Sequence, residues 1–110
     1  MTDREMLELA ASAAGYVFGE YGGKPARQVT TKIGAARIYW NPLTDDGDAL
    51  RLAVYLEFEI DITSTGVAVR TRCGLKVLVN KTEEPDLCAA ARLAITRAAA
   101  EIGRQKEEQS

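Results

Sequence analysis

The side chains that could carry chemistry are two cysteines, Cys73 and Cys88, an acidic run at Asp45, Asp46 and Asp48, and two blocks of lysine and arginine. The chain has no histidine. That excludes Ser-His-Asp and Cys-His machinery and every histidine zinc ligand. Cys73 and Cys88 are too far apart for a C-x-x-C pair and too few for a four-ligand metal site. Cys88 sits beside Leu87 and Ala91 in a helical pattern, and Cys73 precedes Gly74 between two strand patterns, so both are expected as buried, inert thiols. A calcium loop needs ligands at alternate positions, a glycine at the sixth and a carboxylate at the twelfth. Here Gly47 falls between adjacent acids and Leu56 stands where the last carboxylate belongs. The acids are therefore expected to cap a helix and oppose its dipole rather than to hold a metal. Gly19, Gly22 and Gly23 fit neither G-x-G-x-x-G nor a P-loop. No catalytic residue, metal ligand or cofactor site is predicted, and the protein is expected not to be an enzyme.

The basic residues are blocked. Residues 21–40 carry +4 and residues 63–81 carry +4, whereas residues 41–62 carry −5, in a chain of net charge −2. Strand alternation places Lys32, Arg37 and Tyr39 on the solvent side of one hairpin and Arg70, Arg72 and Lys76 on the solvent side of later strands. An open basic sheet face with an aromatic ring can hold a nucleic acid backbone and stack a base, so Lys32, Arg37, Tyr39, Arg70 and Arg72 form the candidate binding surface. Against that use, Glu59 and Asp61 are expected opposite or diagonal to Arg70 and Arg72, and the sequence pI is 5.2. The face is therefore read as solvated and self-compensated, with nucleic acid the less favoured partner. Trp40, which shares the inward side with Ile38, is expected in the core.

The elements that position these residues follow from periodicity. Thr2 and Glu5 form a capping-box pattern ahead of Met6, Leu9, Ala10, Ala13 and Ala14, which predicts a helix over 3–14 ended by Gly15. Glycines and Pro25 make the next stretch a packed loop with room for one short strand. Val29–Ile33 and the run ending at Trp40 read as a hairpin. Ala49, Leu52, Ala53 and Leu56 predict a helix over 46–57. Phe58–Ile62 and Val67–Arg72 make a second hairpin, and Leu75–Val79 a fifth strand. Thr82 and Pro85 open a last helix running to Gly103. The order is α-ββ-α-βββ-α, an α+β class with a mainly antiparallel sheet packed by three helices. One domain is expected over 1–103, with 104–110 a polar, frayed tail. The polar, acidic opening Met1–Glu5 and the lack of an apolar run near 18 residues lead to the expectation of a soluble cytoplasmic protein with no membrane association.

Residues 40–53, Trp40-Asn41-Pro42-Leu43-Thr44-Asp45-Asp46-Gly47-Asp48-Ala49-Leu50-Arg51-Leu52-Ala53, resemble the signature stretch of the phage ABA sandwich domain family, small bacteriophage and prophage proteins. Residues 94–103 are similar to that family's C-terminal helix, and Met1–Glu5 to its opening. The resemblance implies an α-β-α layered fold and a phage or prophage gene product acting in the bacterial cytoplasm. It implies no reaction and transfers no catalytic residue. The function expected is that of a non-enzymatic accessory protein that binds a host or phage protein. Self-association is left with two outcomes. One is a twofold dimer, through the outer side of the last helix (Ala89, Ala90, Leu93, Ala100) or through a sheet edge. The other is a monomer kept apart by Arg92, Arg97 and Glu101.

Overall fold

A computed structural model describes residues 1–109. The chain is α+β, with three helices and two small antiparallel sheets: α1 (Asp3–Ala14), β1 (Phe18–Tyr21), β2 (Lys24–Thr31), β3 (Gly34–Tyr39), α2 (Asp46–Tyr55), β4 (Glu59–Thr63), β5 (Gly66–Arg70), β6 (Lys76–Asn80) and α3 (Leu87–Glu108). Each sheet is a three-stranded meander with its middle strand in the centre, β1-β2-β3 and β4-β5-β6.

The helix starts follow local chemistry. The Thr2 hydroxyl accepts from the Glu5 amide, Asp45 from the Asp48 amide and Asp86 from the Ala89 amide, each satisfying an otherwise orphaned donor in the first turn. α1 ends at Gly15, whose φ of 74° is left-handed. The stretch expected as a packed loop supplies β1. Tyr21 pairs with Lys24 across a two-residue turn of Gly22 and Gly23, both at positive φ, the geometry that lets a tight hairpin keep the strand twist. The next hairpin turns at Lys32 and Ile33, because Thr31 pairs with Gly34. Ile33 is thus a turn residue, 99% exposed, rather than an inward strand residue.

α3 lies at the centre of the molecule. One side packs along α1, where Leu7, Ala10, Ala11 and Ala14 meet its alanines, and another packs on the inner face of the second sheet, where Val67, Val69 and Val79 are buried. The small side chains allow close approach; a Cβ on Gly103 would lie 1.9 Å from the Leu9 carbonyl oxygen. Gly103 therefore serves the crossing of α1 and α3 and does not stop the helix. The polar segment expected as a frayed tail continues α3 to Glu108, held by ion pairs of Arg104 with Glu101 and Glu108 and by Lys106 Nζ donating to the Ser12 carbonyl at 3.0 Å. Ser110 lies outside the described residues. Trp40 is in the core as expected, 3% exposed, edge-on to Tyr16 at 5.7 Å and to Phe18 at 6.1 Å. Among the described residues, no helix is long and apolar enough to cross a membrane.

Candidate functional site

The five residues of the candidate surface fall on two sheets. Arg70 ends β5 and stands opposite Glu59 of β4, and Arg72 reaches Glu57 at 3.0 Å. Charge on the second sheet is thus compensated only in part: Arg72 pairs with Glu57 and not with Glu59 or Asp61, and Arg70 stands between Glu59 and Lys76 with no ion pair among the described residues. Lys32, Arg37 and Tyr39 belong to the first sheet and have no such acids. Strand register puts Tyr21, Lys24, Gln28, Arg37 and Tyr39 on one face of β1–β3. The ring centroids of Tyr21 and Tyr39 are 5.4 Å apart, and Lys24 Nζ is 5.7 Å from the centre of the Tyr39 ring. The two tyrosine residues are 53% and 55% exposed. Arg37 donates to the Glu20 carbonyl at 3.2 Å, which fixes one edge of its guanidinium and leaves the other edge to solvent. Lys32 sits in the turn beyond it.

Residues 21–40 contain four cations and no carboxylate. Among the described residues, none of Lys24, Arg27, Lys32 and Arg37 has a carboxylate within ion-pairing distance; the nearby Glu20 carboxylate is taken by Arg4. Arg27 lies on the opposite face, its guanidinium 4.1 Å from the centre of the Tyr16 ring. Tyr21 and Lys24 lie in the stretch whose glycines and Pro25 predict a packed loop with room for one short strand, and periodicity there assigns neither residue to a face. Gly22-Gly23 between two strand-compatible residues is the signal that would have found them.

Beside this face lies an open cleft of about 530 Å³ between the end of β3 and the start of α2, lined among others by Lys24, Tyr39, Asn41, Asp45, Asp48 and Arg51. Its acids are committed. Asp45 caps α2, and Asp48 accepts from the Asn41 amide at 3.0 Å and from Arg51 at 2.9 Å. The Arg51 guanidinium is raised further above its ordinary pKa, first by the hydrogen bond to Asp48. The Asp45–Asp48 run therefore acts as the helix cap and dipole partner that its spacing suggested. Among the described residues, no group of three or more potential metal-ligating side chains gathers.

Both cysteines depart from expectation, since each is exposed and free. Cys88 lies on the solvent side of the first turn of α3, off the buried stripe of Ala90, Ala94 and Ala98, and Cys73 lies in the bend between β5 and β6, where alternation gives no inward direction.

In comparisons with known proteins, the chain matches no protein-family model, no curated protein and no solved structure. The likeness of residues 40–53 to phage ABA sandwich proteins has no family match behind it.

Proposed function

We propose that the protein is a non-enzymatic binding protein that docks an anionic macromolecular partner on the exposed face of β1–β3. The observation that carries this is the run of cations without carboxylate partners beside a half-exposed tyrosine pair, in a chain whose net charge is negative. A solvated surface gains by interspersing both signs, whereas a local single-sign field steers an oppositely charged partner. The commitment of Asp45 and Asp48 to the fold supports the non-enzymatic part, because it removes the cleft's acids from proton transfer. The resemblance to phage ABA sandwich proteins adds a setting to the proposal, that of a phage or prophage product working in a bacterial cytoplasm.

Retention on immobilised heparin, a polyanion without bases, tests the face. The protein should be retained at about 50 mM salt and released as salt rises. Lys24→Glu with Arg37→Glu should abolish retention, and Arg70→Glu with Arg72→Glu should leave it. Equal loss in both double variants, or no retention of the parent protein, defeats the proposal.

A second reading, a host or phage protein seated on α2, has its own observation. Leu50, Val54 and Tyr55 form an exposed apolar ridge there, each more than half in solvent.

A further inference from the structure

Taking β1–β3 as the binding face, we infer that its ligand is a single-stranded nucleic acid, with bases stacked on Tyr39 and Tyr21 and the backbone running over Arg37 toward Lys32. An acidic protein surface would engage the cations and could cover the rings, but a nucleic acid strand supplies both the phosphates and the flat bases in one repeating unit. A duplex hides the base faces that such rings could stack on. The cross-strand neighbour of Tyr39 is Ala26, which is buried, so the ring lies over a small side chain and the side chain's exposed part, 55% for the residue, faces solvent.

Lys24 Nζ now occupies the neighbourhood of the Tyr39 ring. An exposed cation–π contact is worth roughly 2- to 5-fold in an equilibrium, whereas a base on an aromatic ring is worth roughly 5- to 150-fold. An incoming base can therefore take the ring and release the ammonium to an adjacent phosphate. Arg37 follows two residues back along β3, about 7 Å away on the same face, and the Lys32 turn lies roughly 20 Å from Tyr39. The path has a direction. Arg37 and Lys32 lie on the hairpin-tip side of Tyr39, in a stretch of residues 21–40 without a carboxylate, whereas in the cleft on its other side Arg51 is already held by Asp48 at 2.9 Å, so the backbone leaves the ring toward the tip.

The test is anisotropy of a fluorescein-labelled thymidylate 12-mer titrated with the full chain. Competitors are an abasic strand of the same length, a duplex of the same length and polyglutamate, and Trp40 emission reports folding of every variant. The inference expects tight binding to the 12-mer and about 20-fold weakening between 50 and 200 mM salt, the slope for three phosphate contacts on a single strand. Tyr39→Ala should lose at least about 5-fold and Tyr39→Phe little. The abasic strand should bind at least about 5-fold more weakly than the 12-mer, and Tyr39→Ala should not weaken it further. Equal binding of abasic strand, duplex or polyglutamate, with Tyr39→Ala silent, overturns the inference while leaving an anion-docking face in place. Binding of none of these probes at 50 mM salt overturns both.

Discussion

Cys73 sits in the bend after β5 with its Sγ 3.1 Å from the Thr71 hydroxyl, while that hydroxyl also accepts from the Leu75 amide. A hydroxyl donating to sulfur favours the thiolate, and Thr71 is the first cause holding the thiol below its ordinary pKa, with the Leu75 backbone second. Exposure and a lowered pKa together raise thiolate availability near neutral pH. Both cysteines of the folded protein should therefore react with a thiol reagent without denaturant. The alkylation rate of Cys73 should reach half its plateau below the ordinary thiol range, and Thr71→Val should move that midpoint up while Thr71→Ser keeps it. Thiols that stay silent until the chain is unfolded would remove this account. The same scale explains why Trp40 was legible and Ile33 was not. Alternation assigned Trp40 correctly to the core, but a two-residue turn at Lys32 and Ile33 is invisible when neither residue is glycine, asparagine or aspartate.

At the scale of elements, the crossing of α1 and α3 is set by Gly103. Replacing glycine with alanine inside a helix is ordinarily favourable by about 1 kcal/mol. Here the added Cβ would fall 1.9 Å from the Leu9 carbonyl oxygen, a backbone atom that no rotamer change can move. Overpacking of this kind costs roughly 1–3 kcal/mol and occasionally more, so the clash outweighs propensity. Gly103→Ala should lower the urea midpoint with little change in slope, and Gly103→Val should lower it further. A rise in midpoint for Gly103→Ala would mean that the helices are not in contact there. On α2, Asp45→Ala removes the cap and should cost about 1 kcal/mol. Caps and periodicity made the three helices, the second meander and the β2–β3 hairpin legible, because Thr2, Asp45 and the alternations at Ile60/Ile62 and Val67/Val69 are local signals. The stop placed at Gly103 failed because a glycine that ends a helix and one that lets another backbone approach look the same in one dimension. The candidate face was half legible for a related reason. Alternation put Arg37 and Tyr39 on one side, but nothing local said that Arg70 and Arg72 lay on a different sheet, with acids of their own.

For the whole molecule, the central position of α3 decides which surfaces can meet another copy. Ala89, Ala90 and Ala100, offered by the sequence as a dimer face, are buried, and Leu93 packs against the core, so that side of α3 is not available. Leu93→Glu should accordingly destabilise the fold rather than split a dimer. Four sheet edges remain, at β1, β3, β4 and β6. Antiparallel pairing of β4 with its copy brings Glu59 and Asp61 against the same acids, and pairing of β3 with its copy brings Arg37 against arginine; like charges across strands oppose both. β3 against β4 would match in charge, but that contact is head-to-tail, so it builds rings or chains and not a twofold dimer. The protein is therefore predicted to be a monomer, with a light-scattering mass near 11.9 kDa that stays constant over about two decades of concentration at physiological salt, where exposed charges are screened beyond roughly 8 Å. Mass that climbs continuously as salt is lowered would point to β3–β4 chaining. A doubled mass insensitive to salt would instead place the α2 ridge at a twofold interface. Val54→Glu, which adds charge to an exposed position and leaves the monomer's core untouched, would then return the mass to that of one chain.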